Sequence, residues 1–368
     1  MVPTGNSGIV YWRMQNFVQA TWRNSLASFQ NPLWVKDQND PQEWENCLKE
    51  PGYKWPFIGM IQSGVKQADA IVVQLVHTPD ALRLFRAIKD MCPNKPVLCE
   101  IDDHMLSVAE YNPAYEAYWP GSPYREIAIT QMREADGLIV STPYLKEVYS
   151  EFNANIWVVP NCIDFKAWDR VQRGRKGGIR IGWAGGASHE EDVRSVLPAI
   201  KGILAKHRDV RFVFVNGPAK AGLPDWLKGV PRVEHIAKWS RIDKYPQALA
   251  SHDFDIGIAP LVDNAFNRGK SNLRWLEYSA LGIPCVASNV GHFAETLKDG
   301  QDVFLADDAA QFEAKLELLI KDRKLRLQMG TNANQRIRKD FNVDLVAAQY
   351  VEHLKAACAL KQPKEALA

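Results

Sequence analysis

Short apolar runs rich in Val, Ile and Leu alternate with amphipathic stretches along most of this chain. The apolar runs predict strands over residues 70–76, 96–101, 137–141 and 156–159. Helices are expected between them, over 79–91, 123–135 and 143–151. Residues 11–22 read as a further helix, and 31–56, rich in Trp, Pro and Asp, as irregular loops. A basic, Gly-rich connector over 170–178 separates this half from a second, in which the rhythm restarts. Strands are expected at 179–184, 210–215, 254–260 and 284–288, and helices at 190–206, 242–250, 309–320, 324–339 and 343–357. Strands alternating with helices give βα units on parallel sheets, so the fold class is α/β with two doubly wound, Rossmann-like domains. Ligands of such domains bind at the carboxyl ends of the strands.

Composition adds bounds rather than detail. The 368 residues suffice for two domains, and 46% hydrophobic and 24% charged residues are ordinary for a globular protein. A net charge of +2 makes no case for a nucleic-acid or lipid partner, though an anionic small substrate needs only a local patch. The six cysteines, Cys47, Cys92, Cys99, Cys162, Cys285 and Cys358, are scattered, without CxxC pairs or zinc-type spacing. Reduced thiols and a cytoplasmic location are the expectation, and no metal is assigned. Residues 1–8 carry no secretion-signal pattern, and no run approaches the ~18 apolar residues of a membrane span.

The stretch from Arg268 to Ser288 is the most informative. Lys270, Ser271 and Asn272 open an amphipathic run that ends at Gly282 and leads into an apolar strand. On an α-helix, Lys270 and Glu277 fall on nearly one face, separated by roughly 10 Å along the axis. A cation at a helix start and a carboxylate two turns on suit the two ends of a nucleotide sugar: diphosphate on Lys270 and Ser271, ribose hydroxyls on Glu277. The alternative is a solvated helix on which Glu277 pairs with Arg274.

Further candidates lie at strand ends. Gly185 and Gly186 follow the strand at 179–184, where backbone N–H groups can face phosphate oxygens. No GxGxxG or GxxxxGK[ST] motif is present, so hydride transfer and ATP hydrolysis lose support. Asp102 and Asp103 end the strand at 96–101, placed to orient acceptor hydroxyls, to move a proton or to cap the next turn. His77 follows the strand at 70–76 and is a candidate for the same cleft or a structural hydrogen-bonder. Gly8 precedes residues 9–13, either a loop carrying Arg13 to an anionic ligand or a loose terminus.

Taken together these motifs resemble the GT-B glycosyltransferases, especially the GT4-like group. The segment Val159-Pro-Asn-Cys-Ile-Asp164 is similar to the family's "PNGxD" interdomain segment, with Cys162 in place of glycine. Residues 276–288 are similar to its "EAxAxGxPVxxS" strip, whose Glu binds the donor ribose, which assigns Glu277. Gly291-His-Phe-Ala-Glu295 matches the following Pro-Glu region only in part, and carries over Glu295 as a donor contact. Residues 299–305 resemble the next turn and strand. The resemblance covers about 155–345 well and the first half only by domain pattern. Two departures stand out: Gly269 occupies the place of the family's first Glu, and Ser188-His-Glu-Glu191 replaces its usual Arg and Lys. The diphosphate cations then fall to Arg268 and Lys270. The Phe266-Asn-Arg-Gly-Lys-Ser271 version is similar to a divergent subset found in bacteria and their viruses.

The resemblance implies a GT-B architecture, with the two domains facing across a cleft. Residues 1–165 would bind acceptor, 166–342 donor, and the helix of 343–368 would pack back on the first domain. It further implies a metal-independent, retaining transfer of a sugar from a nucleotide diphosphate sugar such as UDP-glucose, with no cofactor. The acceptor and the oligomeric state are not readable. Aromatic and basic residues such as Trp22, Arg23, Trp34, Lys36, Trp44, Lys49, Lys54, Trp55 and Lys66 keep open a phage-type DNA modification reading, with hydroxymethylated bases stacked on aromatics. A non-catalytic module that binds a nucleotide or carbohydrate would keep the same motifs without turnover. A sugar-nucleotide epimerase would share the donor and the two-domain plan, although its catalytic carboxylates and His are not evident in the chain.

Overall fold

A computed structural model describes residues 13–14, 65, 67–174, 177–216, 222–237, 240 and 244–362. Gly8, the helix expected over 11–22 (Arg13 and Met14 apart), the loops of 31–56 and the aromatic and basic residues of the DNA reading lie outside them. The chain divides into two compact units: Met1–Leu106, Glu116–Pro160 and Asp344–Ala368 form one, Ser107–Tyr115 and Asn161–Val343 the other.

The first unit holds β1 (Ile71–Gln74), α1 (Pro79–Met91), β2 (Val97–Ile101), α2 (Tyr115–Tyr118), α3 (Pro123–Glu134), β3 (Gly137–Val140), α4 (Pro143–Tyr149) and β4 (Ile156–Val158). Its strands pair in parallel in the order β1-β2-β3-β4. Three helices start alike, with a hydroxyl residue followed by proline. The side chains of Thr78, Ser122 and Thr142 accept backbone N–H groups, and Pro79, Pro123 and Pro143 need no such partner.

The second unit contains α5 (Phe165–Trp168), β5 (Ile179–Gly185), α6 (Glu190–Ser195), α7 (Leu197–Lys206), β6 (Val210–Asn216), β7 (Val233–Ile236), α8 (Tyr245–Ser251), β8 (Ile256–Ala259), α9 (Ala265–Arg268) and α10 (Leu273–Ala280). It continues through β9 (Cys285–Ser288), α11 (Gly291–Thr296), β10 (Phe304–Ala306), α12 (Ala309–Lys321) and α13 (Arg323–Asp340). The single helix expected over 190–206 is two, because Pro198 lacks the N–H that would bond back to residue 194, and Val196 leaves the helical path. The final helix, α14 (Val343–Ala359), belongs mainly to the first unit, where Cys358 donates to the Asp69 carbonyl and Lys361 pairs with Asp136. No described helix is long and apolar enough to cross a membrane.

The six parallel strands of the second sheet run β10-β9-β8-β5-β6-β7, so the chain winds outward in both directions from β5. Such a reversal of strand order opens a crevice at the carboxyl ends of the two strands that flank it, here β5 and β8. These strands pair only at Ile181↔Ile256 and Gly182↔Gly257, and then part. The Tyr278 hydroxyl fills the gap, accepting from the Ala184 N–H at 3.3 Å and donating to the Ile258 carbonyl at 3.4 Å. Its ring lies where a side chain of Gly257 would be, so that glycine lets α10 settle onto the sheet. Tyr278 thereby fixes α10, and the residues it carries, beside the crevice.

Candidate active site

The crevice is built from four segments of the second unit: the turn after β5, the loop after β8, the start of α10, and Asn161. β5 ends in Trp183-Ala-Gly-Gly186, and Trp183 stacks on Phe214 with ring centres 4.9 Å apart and planes within 13°. The Arg274 guanidinium lies over Trp183, 5.5 Å from its ring, and against the Gly185 backbone. A Cβ at Gly185 would sit 2.6 Å from Arg274 Nη2, so only glycine permits this approach. Gly186 faces open space, with the nearest atom to a Cβ, Ser188 Oγ, 4.0 Å away.

The opening run is not one helix. Lys270 and Ser271 occupy the turn between α9 and α10, where the Lys270 N–H bonds the Asn267 carbonyl. This corrects the geometry expected from a continuous helix: the seven-residue spacing to Glu277 does not by itself put the two on one face. Lys270 extends over Phe266, 4.4 Å from the ring centre. Ser271 Oγ accepts from Asn161 Nδ2 at 2.6 Å, which ties the Pro160-Asn161 segment to the lysine turn. Asn272 precedes α10 without capping it, and both polar atoms of its buried amide lack hydrogen-bond partners.

Glu277 is buried, which removes the solvated-helix alternative, but its pairing with Arg274 is real at 3.7 Å. The Tyr245 hydroxyl donates to the same Oε2 at 3.0 Å. Burial pushes the Glu277 carboxyl up to about 7, against the opposing pull of Arg274 and Tyr245. Arg268, by contrast, engages Asp263 through Nε and Nη2 at 2.7 and 3.1 Å on an exposed edge. Arg274, which the sequence does not single out, is the cation that the fold places against the glycine turn. Glu295 is 55% exposed on α11, where it stands 3.9 Å from His292.

The remaining candidates belong to the first unit. Asp102 and Asp103 follow β2 and are partly exposed, and their backbone carbonyls accept from Ser141 and Tyr149. His77 follows β1 at the same edge, its ring 5.9 Å from Tyr118 and 6.3 Å from Tyr124. The neighbouring His104 is buried between Tyr144 and Tyr149, and burial with the Arg125 charge takes it down to about 4. Arg13, expected to meet an anionic ligand, is instead buried: Nε donates to Glu100 at 2.6 Å and Nη1 to the Val159 carbonyl at 2.7 Å. The Glu100 carboxyl is raised by burial, and Arg13 offsets part of that rise. A buried carboxylate at the end of β2 needs a cation, and Arg13 supplies it.

The family model described as "Glycosyl transferase-like" matches residues 199–352, the region that carries α10 and Glu277. Over 248 residues the chain is 25% identical to glycogen synthase of Mycobacterium tuberculosis, covering 64% of this chain and 58% of that protein. It is also 22% identical over 161 residues to N-acetyl-alpha-D-glucosaminyl L-malate synthase of Bacillus anthracis, covering 43% and 40%. The chain therefore spans little more than half of the first of these relatives and less than half of the second. Among solved structures, a glycosyltransferase from Rickettsia africae superposes with a TM-score of 0.60 at 15% identity, over 97% of each chain. The chain shares the α/β fold of GT-B glycosyltransferase structures. Anabaena Alr3699/HepE in complex with UDP-glucose shares the fold at a TM-score of 0.56 and 16% identity, over 82% of each chain.

Four residues gathered here carry no signal in the sequence that singles them out: Arg274, Tyr245, His189 and Asp192. Arg274 is visible three residues before Glu277, but only as an ordinary helical ion pair. His189 and Asp192 carry the same i,i+3 spacing, and Tyr245 comes from a distant helix with no local signal. Among the described residues, no group of three or more His, Cys, Asp and Glu side chains is arranged to hold a metal ion.

Proposed function

We propose that this protein transfers a glycosyl group from a nucleoside diphosphate sugar, UDP-glucose being the first candidate, to an acceptor hydroxyl. One observation carries the reading: a half-buried guanidinium, Arg274, rests against a side-chain-free turn at the point where strand order reverses, with a buried carboxylate three residues away. Diphosphate needs fixed cations and N–H groups, and ribose needs a hydrogen-bond acceptor, so the two ends of one nucleotide match the two ends of this group.

In this reading the Gly185–Gly186 backbone, Lys270, Ser271, the Asn272 amide and Arg274 hold the diphosphate, and Glu277 accepts from the ribose hydroxyls. When the bond from the anomeric carbon to the diphosphate oxygen breaks, its electron pair stays on that oxygen. Lys270 and Arg274, fixed before the reaction begins, stabilise the new charge at no reorganisation cost. These two cations do the work that a bound divalent ion does elsewhere. The acceptor enters on the face the diphosphate leaves, its proton passes to the departing phosphate oxygen, and configuration is retained. Acceptor binding is assigned to the first unit, around Asp102, Asp103 and His77.

The test is turnover by the full chain of UDP-, GDP- and ADP-sugars, alone and with acceptor candidates, in buffer containing EDTA. Lys270→Ala is expected to lower kcat by about a hundredfold, the scale of losing one fixed donor to a developing oxyanion, with an unchanged unfolding midpoint. Wild-type turnover by that variant, or neither hydrolysis nor transfer of any of these sugars by the wild type, would overturn the assignment.

A further inference from the structure

The turn after β5 places an oriented histidine beside the cations. His189 Nδ1 lies 2.8 Å from Asp192 Oδ2, and Asp192 is only 1% exposed. The other Asp192 oxygen accepts two N–H donors, the Val262 amide from the loop after β8 at 2.9 Å and Asn267 Nδ2 from α9 at 2.7 Å. With Oδ1 so engaged, the carboxylate accepts from the imidazole at Oδ2, which makes Nδ1 the donor and leaves Nε2 for a ligand. The His189 N–H bonds the Gly186 carbonyl, so the ring is carried by the glycine turn itself.

We propose that His189 is a proton-bearing contact to the donor diphosphate, taking up a proton when the anion arrives and donating to it from Nε2. The inference rests on the proposed donor reading and adds a residue and a proton to it. Three charged groups act on the ring: Asp192 from its own segment, Lys270 from the turn before α10, and Arg274 from α10. Burial and the two cations hold the free imidazole below its ordinary value, and Asp192 opposes them. A bound diphosphate answers the cations with negative charge of its own, which raises the imidazole again. The proton comes from solvent, and nothing is oxidised or broken in the step. Below the free value His189 is already charged and binding gains fully. As pH rises through the bound value, the contact is lost.

Titration calorimetry of UDP and of uridine into the full chain, in two buffers of different ionisation heat, reads the protons taken up. Wild type is expected to take up more with UDP than His189→Gln does, and uridine to show no such difference. UDP affinity should fall about tenfold in the variant and lose part of its decline with rising pH, with uridine affinity unchanged. The ¹⁵N shifts of His189 in wild type, with and without UDP, give the answer without a variant: Nδ1–H tautomer when free, imidazolium when bound. Equal uptake in wild type and variant, or a ring that stays neutral in the complex, overturns the role of His189 alone. Failure of the wild type to bind UDP, GDP or ADP overturns the donor reading and this inference with it.

Discussion

Replacing Glu277 by Gln removes one carboxyl and leaves its shape, and the consequence can be worked from its surroundings. The group is buried against Tyr245 and Arg274, and burial lifts it from 4.5 to about 7. At ~1.4 kcal/mol per pH unit, that displacement is worth roughly 3 kcal/mol. Below pH 4.5 folded and unfolded chains both hold the proton, and Glu277 contributes no pH dependence. Between 4.5 and about 7 the folded chain keeps a proton that the unfolded chain has lost, so stability falls as pH rises. Above 7 the carboxyl is ionised in both states and the loss is complete. Glu277→Gln carries no such penalty. Urea unfolding of both proteins from pH 5 to 8.5 should show the variant gaining on the wild type with rising pH, by roughly 3 kcal/mol across the window. Donor binding should run the other way, because the ionised carboxylate is the better acceptor for ribose hydroxyls. Wild-type affinity for UDP then rises toward pH 8 relative to the variant, set against the opposite trend from His189. A stability difference that stays flat from pH 5 to 8.5 would refute the burial argument.

Two further expectations follow from close packing. Gly185→Ala puts a methyl group 2.6 Å from both Arg274 Nη2 and Trp183 Cζ2. Trp183 is held by its stack on Phe214, so the guanidinium is the part that moves, and UDP affinity should drop tenfold or more with little change in fold stability. UDP bound by this variant as tightly as by wild type would remove Arg274 from the site. Arg13→Met strands the Glu100 carboxyl in the first unit's core and should cost roughly 3 kcal/mol in urea unfolding, much of it recovered by adding Glu100→Leu. A single variant as stable as wild type would show that the ion pair holds nothing together.

The sheets are legible in the sequence because parallel strands buried on both faces leave continuous apolar runs, and the helices because Thr-Pro and Ser-Pro mark their starts. β7, Val233-Glu-His-Ile236, escapes that reading: it is half-buried, carries polar residues and sits at the sheet edge, where the apolar requirement is weakest. Glu277 and the glycine turn are readable because short motifs carry them. Arg274 is not, because its meaning depends on Gly185, some ninety residues away in sequence and adjacent only once β5 and α10 are packed. Arg268 and Arg13 draw attention as cations, but Asp263 and Glu100 claim them, and sequence does not show which carboxylate reaches which guanidinium.

The Arg274–Glu277 pair is a poor device for stability. Its charges stand 3.7 Å apart, and Tyr245 shares the carboxylate oxygen that faces the cation. Burying two charges at that separation costs more in lost hydration than their attraction returns, so an apolar pair would hold α10 to the sheet at least as well. What the arrangement does supply is two unlike charged groups, a cation and an acceptor, on one rigid helix pinned by Tyr278. An anion completes Arg274 and hydroxyl donors complete Glu277. A diphosphate alone leaves the carboxyl half-protonated near neutral pH, and a nucleoside alone brings no anion to the guanidinium. Under the proposed function, a ligand that carries phosphate and ribose together answers both groups at once, and selectivity for a whole nucleotide would come from the cost of leaving either end unmatched.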